Sequence, residues 1–214
     1  MNIIILGPPG SGKGTQAEKL AKKFSLFYFS SGTLTRELSK NDPRIRAIME
    51  KGGLIPSKEM SEYVLSYLGK NSPQADNIIF DGYPRLVDQY DLLKKWVEGK
   101  GKKIDLAIFL EVSEAQVIKR ISSRRMCAQC GEIYNLATNL PSGEVCDKCG
   151  GKLIRRKDDS PESVKERLFL YKSSIEKVIK KLDEDDLLQR VDGDREINEI
   201  QKDLVKLLES YERN

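Results

Sequence analysis

Ile3-Ile4-Ile5-Leu6-Gly7-Pro8-Pro9-Gly10-Ser11-Gly12-Lys13-Gly14-Thr15 carries an apolar, branched run into a glycine-rich turn, and the residues after it take up helical spacing at Ala17, Leu20, Ala21 and Phe24. Strand, loop and helix therefore follow one another: a strand over Asn2 to Leu6 and a helix from Lys13 to Phe24. Between them stands the Gly-x4-Gly-Lys of a P-loop in the context that motif needs. Glycines let backbone N–H groups turn toward phosphate oxygens, the helix N-terminus adds partial positive charge, and Lys13 can reach the outer phosphates. The strict pattern wants Ser or Thr directly after the lysine; here Gly14 intervenes before Thr15, so direct magnesium ligation by that hydroxyl is not expected.

Working outward, buried-strand candidates occur at Phe27 to Ser30, Ile78 to Phe80, Leu106 to Val112 and Leu187 to Val191, with helix-like stretches between. Continuous apolar strands alternating with helices predict a parallel sheet covered on both faces, an α/β fold. Asp81 follows its strand, the placement of a carboxylate that orders Mg2+ and its waters. Two stretches break the rhythm. Residues 31–58 are polar, with breaks at Pro43, Gly52, Gly53 and Pro56. Residues 126–156 hold too few large apolar side chains for a core of their own and require a staple. Ser160 and Pro161 then read as N-cap and first-turn proline of a helix whose apolar face runs from Val164 to Leu182.

The staple is legible. Cys127-x2-Cys130-Gly131 and Cys146-x2-Cys149-Gly150 are two knuckles that suit a tetrahedral four-thiolate zinc site, closed and structural; two disulfides or free thiols are the alternatives. All 4 cysteines lie in this cluster, so a reducing, cytoplasmic setting is favoured. The chain has no histidine, which excludes imidazole general bases, Ser-His pairs and histidine metal sites. A formal charge of +4 on 214 residues, a third of them charged with both signs, gives no polyanion footprint. No apolar run is long enough to cross a membrane. Partners are therefore expected to be small molecules, with neither nucleic acid nor membrane, and a monomer is the default.

Asp81-Gly82-Tyr83-Pro84-Arg85, Arg120-x3-Arg124 and Arg156-Lys157-Asp158-Asp159 followed by Arg167 resemble, in order and spacing, the signature set of the adenylate kinases, in their long-lid form. The resemblance runs from Gly7 to Gly193. It implies a P-loop parallel five-stranded sheet with helices on both faces, as a core of residues 1–30, 59–123 and 160–214. It also implies a small helical AMP-binding insertion at 31–58 and a zinc-stapled lid at 124–159. By the same resemblance, Gly10, Ser11, Gly12, Lys13, Gly14, Thr15, Arg120, Arg124, Ile133, Tyr134 and the backbone near Arg195 would hold ATP. Ser31, Arg36, Gly53, Leu54, Ile55, Gly82, Tyr83, Pro84, Arg85, Gln89, Arg156 and Arg167 would hold AMP. Lys13, Arg85, Arg120, Arg124, Arg156 and Arg167 would surround the transferring phosphoryl, and Asp158 and Asp159 would latch the lid.

Thr33 departs from the aspartate that many family members carry there. The activity implied is Mg2+-dependent phosphoryl transfer from ATP to AMP, with no general base needed because a phosphate monoester is mostly deprotonated at neutral pH. A kinase for another nucleoside monophosphate, or a zinc-ribbon ATPase stimulated by nucleic acid, are the competing readings. A signalling GTPase is disfavoured by the absence of an Asn-Lys-x-Asp motif.

Overall fold

The computed structural model describes residues 1–136 and 140–212; positions 137–139 of the expected lid and 213–214 of the expected core lie outside the described residues. In chain order come β1 (Ile3–Leu6), α1 (Lys13–Phe24), β2 (Phe27–Ser30), α2 (Ser31–Asn41), α3 (Pro43–Glu50), α4 (Ser57–Asn71), β3 (Ile78–Asp81) and α5 (Val87–Glu98). They are followed by β4 (Leu106–Glu111), α6 (Glu114–Ser122), β5 (Arg124–Cys127), β6 (Ile133–Asn135), β7 (Leu153–Ile154), a 3-10 turn at Lys157–Asp159, α7 (Pro161–Glu184), β8 (Leu188–Asp192) and α8 (Ile197–Glu212).

Five strands make one parallel sheet in the order β2-β3-β1-β4-β8, with β1 at its centre. Side chains alternate across a strand, and β1 divides accordingly. Ile4 and Leu6 join Phe29, Phe80, Val64, Leu68, Tyr90, Leu93 and Val178 on the face covered by α4, α5 and α7. Ile3 and Ile5 join Leu20, Ile79, Ile108, Leu204 and Leu208 on the face covered by α1 and α8. Both faces are dry, which is why these strands read as unbroken apolar runs. The helices begin where their sequences direct: Ser160 Oγ accepts from Ser163 N with Pro161 at the first turn, and Asp42 caps α3.

Residues 31–58 fold as α2, α3 and the start of α4 and have no core apart from the rest. Leu34, Ile45 and Ile55 are buried in the same cluster as Phe29 and Phe80. The second interruption is a three-stranded antiparallel sheet, β6-β5-β7, over a small cluster of Cys127, Tyr134, Cys146 and Leu153. Its strands of two to four residues left no period to read in the sequence. No helix among the described residues is long and apolar enough to cross a membrane.

Phosphate chemistry belongs at the carboxyl ends of the parallel strands, where the order of the sheet reverses. There β1 runs into the glycine turn, β2 into α2 and β3 into Asp81, and the lid springs from the end of α6. Leu204→Ala on α8, fully buried against the sheet, is expected to cost about 2–5 kcal/mol in urea unfolding. Phe169→Ala on the 68 % exposed surface of α7 is expected to change stability by less than about 0.5 kcal/mol.

Candidate active site

A cavity of about 490 Å3 opens at these strand ends, between α2, α3, the β5–β7 segment and the first turn of α1. Its walls bring together most of the residues singled out in the sequence. Gly10 to Thr15 form one side. Ser31, Arg36, Gly53, Leu54, Ile55, Gly82, Tyr83, Arg85 and Gln89 form a second. Arg120, Arg124, Ile133, Tyr134, Arg156, Asp158, Arg167 and Arg195 close the third, with Asp81 at the base. Pro84 lines instead a small side pocket of about 60 Å3 behind the loop, together with Lys13, Arg85 and Arg167. The side chain of Asp159 is fully buried behind the cavity wall.

Around the glycine turn, Gly12 takes a left-handed conformation and caps α1, while Lys13 folds back so that its ammonium donates to the Pro8 carbonyl at 3.2 Å. Burial lowers the Lys13 pKa to about 8, and the nearby Arg85, Arg167 and Arg124 reinforce this against the opposing pull of Asp81. A lysine so placed gains most from an anion that arrives beside it. Arg120 is fixed by the backbone, donating to the carbonyls of Ser11 at 3.1 Å and Arg195 at 3.2 Å. It thereby ties α6 to both the phosphate turn and the approach to α8.

On the second wall, Arg85 donates its Nε–H to the Gly82 carbonyl at 2.8 Å, and its own amide donates to Gln89 Oε1 at 2.8 Å. The buried Gln89 thus keeps its amide NH2 for other partners. Ser31 Oγ–H donates to the same Gly82 carbonyl at 2.7 Å. The Tyr83 hydroxyl, its pKa pushed up to about 12 by burial, donates to Ser61 and packs away from the cleft's polar rim. At the position where the resemblance leads one to expect an aspartate, the Thr33 hydroxyl accepts from Arg36 at 2.8 Å. Burial lowers the pKa of Arg36 and of Arg85.

The lid side is an arginine–carboxylate network. Arg124 forks onto Asp159, with its Nε at 2.8 Å from Oδ2, and Arg156 forks onto Asp158, with its Nε at 2.9 Å from Oδ1. Arg167, from α7, reaches both carboxylates, at 3.1 and 3.4 Å. Burial alone would raise the Asp158 carboxyl; Arg156, then Arg167 and Arg124, overcome it and hold the pKa near 2. The Arg167 guanidinium, buried among like charges, falls to about 10. Lys157 spans to Glu50 of α3 at 2.8 Å, so the two interrupting segments touch, and Ser163 Oγ–H of α7 donates to the Glu50 carbonyl at 2.7 Å.

The four cysteine sulfurs lie within 4.8 Å of one another. Cys127 and Cys149 are 3.4 Å apart and Cys130 and Cys146 3.5 Å, too far for disulfides of about 2.05 Å. They are close to the edges of about 3.8 Å of a tetrahedron with zinc–sulfur bonds of about 2.3 Å, so the donor set fits a structural zinc. Gly131 and Gly150 both take left-handed conformations after their cysteine pairs, the turn that a side chain would strain. The Tyr134 hydroxyl sits 3.5 Å from Cys146 Sγ and accepts from the Asp147 amide at 2.9 Å, so a cavity residue is anchored in the cysteine cluster.

Gln16, Glu18, Tyr28 and Gln116 also line the cavity, and sequence reasoning passed over them. All four stand in regular elements and carry no turn or motif signal.

The adenylate kinase family model matches residues 5–187. The chain is 38 % identical to an adenylate kinase of Petrotoga mobilis over the full length of both proteins. It is 39 % identical to one of Kosmotoga olearia over 98 % of this chain and all of the other. An adenylate kinase of Pyrococcus horikoshii is 38 % identical, over 98 % of this chain and 96 % of the other.

Two outcomes follow from the lid. Asp158 is a carboxyl lowered by folding, so its contribution is present above the unfolded pKa and is lost as pH falls toward 2. Asp158→Asn is expected to be less stable than the parent by on the order of 2 kcal/mol at neutral pH. That gap should shrink between about pH 4 and pH 2 in chemical-denaturation series. If the four cysteines hold a metal, a chelator in reducing buffer is expected to strip hydrogen-exchange protection from β5, β6 and β7 while β1, β3 and β4 keep theirs.

Proposed function

This chain belongs to the adenylate kinase family and is a phosphotransferase acting on nucleoside monophosphates, and from that membership we propose that it converts ATP and AMP into two ADP by direct in-line transfer. What supports the finer reading is one observation: a P-loop lysine and seven arginines, Arg36, Arg85, Arg120, Arg124, Arg156, Arg167 and Arg195, line one cavity of a size suited to small-molecule ligands. In this reading the core is 1–30, 59–123 and 160–214, the AMP side is 31–58 and the lid is 124–159.

ATP lies along Gly10 to Thr15, with its base toward Arg120, Ile133, Tyr134 and Arg195. AMP lies against Ser31, Arg36, the Gly53 to Ile55 segment, Gly82 to Arg85 and Gln89. The attacking group is an oxygen of the AMP phosphate, already largely deprotonated near pH 7. A transferring phosphoryl spreads its charge over equatorial oxygens, so the chain's task is positioning, cationic stabilisation and exclusion of water. Lys13 receives the outer phosphates. Arg85 and Arg167 lie on the acceptor side, and Arg124 and Arg156 come from the lid, exchanging Asp159 and Asp158 for phosphate oxygens as the lid settles. Expelling water keeps ATP from being hydrolysed when no acceptor is present.

Magnesium, which comes with the ATP, neutralises phosphate charge. The residue suited to hold its waters is Asp81, whose Oδ1 is buried without a hydrogen-bond partner among the described residues. Zinc on Cys127, Cys130, Cys146 and Cys149 is structural in this reading and holds the lid's short strands. The enzyme is taken as a cytoplasmic monomer that handles its two nucleotides without nucleic-acid or membrane partners.

A coupled assay of ADP formation with ATP, Mg2+ and each of AMP, CMP, UMP and GMP tests this. AMP-dependent ADP production is expected, and Arg85→Ala is expected to lower kcat by roughly 10²–10³-fold while the fold persists. ATP loss with no acceptor, or only with single-stranded DNA, would replace the reading with a nucleic-acid-stimulated ATPase.

A further inference from the structure

Tyr28 belongs to none of the motifs above, yet it stands at the base of the cavity beside Asp81. Its hydroxyl donates to Asp81 Oδ2 at 2.9 Å. The register of the sheet creates the pair. In the parallel pairing of β2 and β3, Ser30 lies opposite Asp81, so Tyr28, two residues earlier, projects from the same face and its length spans the gap. A tyrosine hydroxyl can donate where a carboxylate oxygen can only accept, so the bond runs from Tyr28 to Asp81.

The carboxylate it holds is only 8 % exposed, and the other oxygen, Oδ1, is buried with no hydrogen-bond partner among the described residues. A buried carboxylate oxygen ordinarily finds a donor or a cation, so this one is left for something the cavity admits. Gly14 adds an independent constraint. A Cβ at that position would lie 3.2 Å from Asp81 Oδ2 and 3.5 Å from the Tyr28 hydroxyl. The Asp81 carboxylate thus crowds the position next to Lys13 where the strict P-loop pattern places a serine or threonine, with the Tyr28 hydroxyl in ordinary contact beside it.

We propose that Tyr28 is a positioning residue for the metal-carrying nucleotide: its hydroxyl fixes Asp81 Oδ2 and so leaves Oδ1 as the oxygen offered to the waters of a hydrated magnesium. The proposal rests on the reading of Asp81 given above. It assigns to a strand tyrosine the orientation of the site's metal-facing carboxylate, and it accounts for glycine rather than serine at position 14.

Calorimetric titration of ATP with and without Mg2+ into the parent, Tyr28→Phe and Asp81→Asn tests it. Mn2+ retention by the nucleotide complex, read by electron paramagnetic resonance, is the second readout. Phenylalanine keeps the ring and its packing, and thermal melts followed by circular dichroism verify folding. In Tyr28→Phe the gain in ATP affinity that the metal confers is expected to fall by about 10-fold, the scale of a lost hydrogen bond to a charged group. Affinity for metal-free ATP should stay within about twofold. If Tyr28→Phe loses affinity equally with and without metal, the tyrosine only packs and the proposal is overturned. If Asp81→Asn loses the metal-dependent gain but Tyr28→Phe keeps it, the proposal fails while the reading of Asp81 stands. If Asp81→Asn keeps the gain, the reading of Asp81 fails and the proposal falls with it.

Discussion

Nine cationic side chains line one cleft, and their mutual repulsion, together with the cost of taking them out of water, is the constraint that the rest of the molecule has to meet. Burial depresses the pKa values of Lys13, Arg36, Arg85 and Arg167, which means that the fold holds these charges against their own tendency to shed them. The carboxylates of Asp81, Asp158 and Asp159, with those of Glu18, Glu132 and Glu196 on the cavity wall, offset part of the cost. Asp158 and Asp159 are themselves buried, and each is forked by a guanidinium. An arrangement of this kind stores readiness for anions: the positive groups outnumber the negative ones, and a phosphate arriving among them relieves the strain that folding imposed.

The elements of the fold divide the labour of holding those charges apart. Lys13 is carried by the first turn of a helix braced on the sheet's central strand. Arg85 is held by the Gly82 carbonyl and by Gln89, and Arg120 by two backbone carbonyls. Arg124 and Arg156 flank the segment with the smallest apolar cluster and are held by Asp159 and Asp158. Metal binding at the cysteine site would act on catalysis at a distance by fixing short strands that lack the packing to fix themselves. Tyr134, which lines the cavity while its hydroxyl touches Cys146, shows how short that distance is.

Much of this was legible in the chain itself. The helix over Lys13–Phe24 and the strand over Phe27–Ser30 have the bounds their residues suggested, because glycine turns and unbroken apolar runs are local signals. The N-cap at Ser160 and the left-handed glycines after the cysteine pairs were local in the same sense. The lid's three strands were not, since pieces of two to four residues carry no period and are defined by their partners. Residues 31–58 were separable by composition, yet Leu34, Ile45 and Ile55 bury into the common core, a contact that only the folded chain brings about. Tyr28 was hidden for a related reason: what matters is the register of β2 against β3, and register is a relation between segments distant in sequence.

The absence of histidine becomes intelligible once the charge balance is set out. A cleft with this excess of positive charge would hold an imidazole in its neutral form, and a reaction whose nucleophile is already an anion has no proton for it to take. What such a cleft needs instead is a set of groups whose charge does not vary near neutral pH, and guanidinium groups meet that need even where burial lowers their pKa. Lys13 is the exception, lowered to about 8 by burial, and it opens α1 at the end of the glycine turn. In the proposed reading its proton is linked to nucleotide binding: a triphosphate arriving beside it would raise the lysine's affinity for its proton, and the protonated lysine would by the same linkage raise the affinity for the triphosphate.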